Sequence, residues 1–160
     1  MIAEIIGGLS IVTGLAVGWF QVRHHRAQQR NAVAINLAQT FYNRDFAQSI
    51  ALMQNVPDGA SLQEIRAMGR EYEEAAITLT TSFETMGLLV YKRIAPMDLV
   101  LDLAGGIVSV MRRKLDQWLA DVREEQSQPS WAEWFEWLGD QAIQRKSATP
   151  PAHLAYKSWR

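Results

Sequence analysis

The chain has no cysteine, so disulfide scaffolds and thiolate chemistry are excluded, as suits a reducing compartment. It has only three histidines, His24, His25 and His153. None sits in an H-x-x-x-H or E-x-x-H spacing, which removes the helical metal-site patterns. There is no Gly-rich phosphate loop and no G-x-S-x-G, so nucleotide and acyl-transfer signatures are missing too. No metal or cofactor is expected. Basic excess is also lacking: 16 Lys and Arg stand against 17 Asp and Glu. Bulk electrostatics therefore does not point to nucleic acid as a partner. No stretch of useful length alternates as a strand would, and no internal repeat is visible.

What is present begins with one long apolar run. Residues 2–22 read IAEIIGGLSIVTGLAVGWFQV, and no charge appears between Glu4 and Arg23. As a helix, residues 2–22 would extend roughly 31 Å at ~1.5 Å per residue, enough to cross a hydrocarbon core. The run is followed by Arg23, Arg26 and Arg30 with no acidic residue among them. Trp19 and Phe20 stand beside these arginines, where amphipathic rings favour a membrane interface. Trp19, Arg23, Arg26 and Arg30 together read as a headgroup collar. The positive-inside rule then places the N-terminus outside and the rest of the chain in the cytoplasm. Ser10, Gly14 and Gly18 recur every four residues and would form a shallow groove for close helix approach in lipid. The partners implied are the bilayer and, through this groove, a second copy or another membrane protein.

The remainder divides into a juxtamembrane collar at 23–30, a helical region at 31–146 and a tail at 147–160, after an anchor at 1–22. Ser61-Leu62-Gln63-Glu64 and Ser130-Trp131-Ala132-Glu133 both have the capping-box pattern that opens a helix. The first opens a long helix to about Arg93, with Ala76, Leu79, Phe83, Met86 and Val90 as its buried stripe. Pro96 opens the next, predicted to continue to about Glu125 with Leu103, Ile107, Met111, Leu115, Trp118 and Val122 inside. The second box opens a helix to about Lys146. The fold class expected is all-α: an N-terminal transmembrane helix followed by an antiparallel cytoplasmic helical bundle. Gly87, Gly105 and Gly106 fall within the two long helices, each at a cost of about 1 kcal/mol relative to Ala. A close crossing of those two helices would explain them.

Few residues invite a chemical role. Glu84 lies in a polar run inside an apolar helix, and a buried carboxylate needs a partner. Arg112 or Arg113 on the following helix would supply it. Catalysis would need a second group within reach, and the sequence nominates none. Trp137 falls off the face shared by Trp131, Trp134, Phe135 and Leu138. It reads, with Trp159, as a docking position.

Ser82-Phe83-Glu84-Thr85-Met86-Gly87-Leu88-Leu89-Val90-Tyr91, then Ile94 with Asp98-Leu99-Val100, and finally Pro129-Ser130-Trp131 with Phe135-Glu136-Trp137-Leu138, resemble the bacterial domain-of-unknown-function family 4760. The resemblance covers roughly residues 75–140. It implies an N-terminal anchor with cytoplasmic helices, and supplies no activity, substrate or catalytic residue. The expectation is a non-enzymatic, membrane-anchored interaction protein of the bacterial inner membrane, an accessory subunit or adaptor of a larger assembly. The alternative is a membrane-associated sensor or effector in stress or phage defence.

Overall fold

A computed structural model describes residues 17–21, 32, 35, 39–41 and 43–158. The chain divides into two units, residues 1–36 and 37–160. In the first, residues 17–21 are helical. Trp19 and Phe20 there are 71% and 75% exposed. Ser10, Gly14, Arg23, Arg26 and Arg30 lie outside the described residues. Among the described residues no helix is long and apolar enough to cross a membrane; of the run 2–22, that search covers only 17–21.

The second unit is all-helical among its described residues. Helix α1 (Arg44–Gln54) is capped by Asn43, whose side chain accepts from the Asp45 and Phe46 N–H groups. Helix α2 (Leu62–Met68) opens on the Ser61/Glu64 capping box. Gly69, at φ 134°, then turns the chain into α3 (Arg70–Tyr91). The single long helix expected from Ser61 is therefore two, because only glycine adopts that φ without strain. Helix α4 (Met97–Lys114) and α5 (Asp116–Glu125) replace the second long helix expected. The chain bends between them at Leu115, which is fully buried. Helix α6 (Glu133–Ala148) follows, and a last turn, α7 (Ala152–Ala155), closes the described chain.

Helices α3 and α5 end in the same device. The Ile94 N–H bonds the Leu89 carbonyl and the Arg93 N–H that of Val90, with Arg93 at φ 58°. Likewise the Gln128 N–H bonds Arg123 and the Ser127 N–H bonds Glu124, with Ser127 at φ 53°. These are Schellman endings with a non-glycine residue in the left-handed position.

Helix α6 packs on both α3 and α4, while α3 and α4 touch each other little. It runs antiparallel to α4. Asp102 meets Arg145, Gly105 meets Ala142, and Arg112 meets Gly139 and Glu136. The expected crossing of α3 against α4 at their glycines is thus corrected. A Cβ on Gly87 would lie 2.2 Å from the Trp134 carbonyl oxygen, so Gly87 admits α6. A Cβ on Gly105 would meet Leu101 and Ala142 in ordinary contact.

The core stripe of α3 is as expected: Ala76, Leu79, Phe83, Met86 and Val90 are buried. That of α4 is rotated. Val100, Ala104, Val108 and Met111 are buried, while Leu103 is 45% exposed. Gly105 faces Ala142 of α6, so the face of α4 that carries Gly105 is covered and Leu103 is left outside. Phe41, Phe46, Phe83 and Phe135 form a chain of ring contacts at 5.3, 5.7 and 5.3 Å, joining α1, α3 and α6 through the core.

Candidate functional site

Glu84 faces the first turn of α6. Its carboxylate accepts the Phe135 N–H at 2.7 Å, and the Trp134 N–H also favours its charge. These are the second and third residues of α6, whose N–H groups have no partner within the helix. A neighbouring N-cap side chain normally takes them. Here Ala132 occupies the cap position in a left-handed conformation (φ 58°, ψ 34°) and has nothing to offer. The carboxylate of a helix 51 positions away in sequence does the capping instead. Partial burial pushes the Glu84 carboxyl above its ordinary range, against the lowering effect of the two N–H groups.

The expected partnership of Glu84 with Arg112 and Arg113 does not form. Arg112, with its side chain only 12% exposed, bonds Asp116 on α4's own continuation. It bonds Glu136 at 2.9 Å and lies 3.3 Å from Asp140, both on α6. Burial works against its charge, but Asp116, Glu136 and Asp140 together hold its pKa above the usual arginine value. Glu136 also takes Arg123 from α5 at 2.7 Å, and Arg123 donates to the Trp131 carbonyl at 2.8 Å. The result is one charge network binding α4, α5 and α6. Gly139 makes room for it. A Cβ there would lie 2.6 Å from Arg112 Cγ, so the arginine stem could not lie flat across α6. Arg113 faces the other way, 3.3 Å from Asp58 in the α1–α2 turn.

The second predicted capping box is not formed. The Ser130 contribution is its carbonyl, which receives the Glu133 N–H at 3.3 Å. The first box is complete and has outside help. The Ser61 N–H and hydroxyl both donate to Glu64, at 2.8 Å each. The Leu62 N–H donates to Asp121 on α5 at 2.8 Å. Arg66 further ties α2 to α5 through both oxygens of Glu125, at 2.7 and 2.9 Å. Arg66 holds Glu125 below its ordinary carboxylate range.

Trp137 is half-buried and not isolated. It meets Tyr91 and Trp134, each at 6.3 Å between ring centroids, and Tyr91 lies 4.2 Å from Trp134. The three rings close the corner where α3 ends and α6 begins. Tyr91 is 54% exposed, Lys92 lies 5.7 Å over its ring, and Ile94 beyond it is 59% exposed. Trp159 lies outside the described residues. Gly18 has open space around its Cβ position.

Among the described residues no group of three or more His, Asp or Glu is placed to hold a metal ion. A concavity of about 750 Å³ lies along α4 and α6 under the C-terminal turn, lined by residues such as Leu101, Gly106, Ala142 and Tyr156. Arg145 at its edge is held by Asp102 at 2.5 Å.

Residues 8–141 match the family described as Domain of unknown function (DUF4760). The chain belongs to the DUF4760 family. No curated protein and no solved structure matches it. The match extends the resemblance read from residues 75–140 toward both ends, into the apolar N-terminal run. The sequence reading missed Asp121, Arg123, Glu136 and Gly139. Their roles depend on contacts between helices, for which periodicity carries no signal. Tyr91 stood within the quoted family motif, but nothing in its spacing marked it as the partner of Trp134.

Proposed function

We propose that this DUF4760 member is a membrane-anchored, non-enzymatic interaction protein, an accessory subunit or adaptor of a larger inner-membrane assembly. The observation that carries the reading is the uncharged run from Ile5 to Val22, ending in Trp19 and Phe20 and followed by Arg23, Arg26 and Arg30. Such a run fits a single span with its basic side in the cytoplasm. Ser10, Gly14 and Gly18 would then offer the packing groove for a partner helix.

The helical unit supports the non-enzymatic part of the reading. Glu84 is occupied as a helix cap, and Arg112, Arg113, Arg123 and Arg145 each hold a carboxylate. A general acid or base needs a reacting group within hydrogen-bond reach, and these groups are already engaged, Glu84 with backbone N–H groups and the arginines with carboxylates.

The test is extraction of native membranes. The full chain should stay in the pellet through alkaline carbonate and enter solution only with detergent. In mild detergent it should migrate in a complex larger than itself, and Gly14→Ile with Gly18→Ile should dissolve that complex without releasing the chain from the membrane. Release by carbonate would overturn the anchor. A clean monomer in mild detergent would overturn the subunit role.

A further inference from the structure

The corner where α3 meets α6 joins a cluster of aromatic rings to exposed cations and an exposed isoleucine. Arg66, Arg70, Arg112, Arg113, Arg123 and Arg145 each form an ion pair with a carboxylate. Among the described residues Lys92 and Arg93 form none, and both are exposed. Lys92 lies over the ring of Tyr91, which packs against Trp134 and Trp137, and among the described residues no hydrogen bond engages either indole N–H. Ile94 projects next to them, 59% exposed. The Schellman ending fixes this arrangement, since it places Arg93 in the left-handed position and closes onto Leu89 through Ile94 and Ala95. An arginine at φ 58° costs free energy that a glycine would not, yet a cation stands there.

We infer that this corner rests in the headgroup layer of an anionic membrane surface. Each component suits that environment. Indoles and a phenol favour the interface because they join an apolar ring to a hydrogen-bond donor. Their free N–H groups have phosphate and ester oxygens to donate to. Ile94 reaches past them toward the acyl boundary. Lys92 and Arg93 match the negative potential of the surface, where each cation near the headgroups is worth about a fivefold gain in partition. A protein partner would be expected to offer carboxylates to the same cations, and it is the alternative the test separates. The inference rests on the anchor reading, because a tethered unit needs only a weak surface contact to settle in one orientation.

The absence of cysteine makes the test direct. Single cysteines placed at Ile94, at Ser147 near the far end of α6, and at Ser10 in the apolar run would carry an environment-sensitive fluorophore. The full chain is reconstituted in vesicles with and without anionic lipid, and quenching by brominated acyl chains is read at each site. The inference expects strong quenching at 94 in anionic vesicles, little at 147, and at least about a twofold loss at 94 in zwitterionic vesicles. Lys92→Gln with Arg93→Gly, which suits the left-handed backbone, should give the same loss with an unchanged helical spectrum. Quenching at 10 with a water-exposed label at 94 overturns the inference and keeps the anchor. No quenching at either site overturns both. A label at 94 shielded from water, yet untouched by brominated lipid, means that protein covers the corner, and also overturns it.

Discussion

Two stretches of this chain carry the same four-residue signal and behave differently. Ser61-Leu62-Gln63-Glu64 forms its capping box, with Ser61 and Glu64 bonded reciprocally. Ser130-Trp131-Ala132-Glu133 does not, and α6 begins instead at Glu133 under the carboxylate of Glu84. A capping box is a local bargain between two side chains and two N–H groups. It holds at α2, which follows an exposed turn at Pro57-Asp58-Gly59. At α6 the packing of Trp134 against Gly87 and of Phe135 against Phe83 sets where the helix starts. Those contacts bring the first N–H groups to Glu84, and Ala132 takes up the left-handed bend that results. Tertiary burial outweighs a local preference worth about 1 kcal/mol.

Five substitutions break or sharpen this contrast. Gly87→Ala should have the largest effect. Its Cβ would press on a backbone carbonyl at 2.2 Å, which no side-chain rotation relieves, so α3 and α6 must separate. Chemical denaturation should show a loss of about 3 kcal/mol, the upper part of the overpacking range, even after the gain of replacing a helical glycine. Glu84→Ala should come next, at about 2 kcal/mol, because it strands two partly buried N–H groups. Glu84→Gln keeps an acceptor and should lose clearly less. At α2, Ser61→Ala should cost about 1 kcal/mol, as an N-cap does. Ser130→Ala should fall within about 0.5 kcal/mol of the parent, since only its carbonyl is used.

The smallest effect separates the two caps by pH. Burial raises the Glu84 carboxyl above the ordinary value of 4.5, so the folded state binds that proton more tightly than the unfolded chain. Relative to Glu84→Gln, the parent should therefore lose stability as pH rises from about 4.5 through the raised folded value. Glu64 is shifted the other way: the Ser61 N–H and hydroxyl lower it. Its contribution is present above 4.5 and fades as pH falls toward the lowered folded value. Denaturation of Glu84→Gln and Glu64→Gln across pH 3–7 should give differences of opposite slope.

Much of the helical unit was legible because periodicity and turn chemistry are local. The α3 core stripe, the break before Pro96 and the Ser61 cap follow from residues within one or two turns of each other. Two helix ends were harder, since the left-handed positions are held by Arg93 and Ser127 and no glycine marks them. The rotated face of α4 was not legible, because Leu103 is as apolar as Val100, and only the closeness of α6 decides between them. Glu84 stood out as a carboxylate in an apolar helix, and a buried partner was foreseen. An arginine was the expected partner, whereas backbone N–H groups satisfy a carboxylate as well. The apolar run at 2–22 remains the strongest functional signal in the sequence, and the corner at Tyr91, Trp134 and Trp137 is what the structure adds to it.

The central structural claim is that Glu84 is the cap of α6, and so part of the architecture. Amide hydrogen exchange at Trp134 and Phe135 tests it most directly. The account predicts that both amides lose protection in Glu84→Ala and keep it in Ser130→Ala. Protection kept in Glu84→Ala and lost in Ser130→Ala would contradict it.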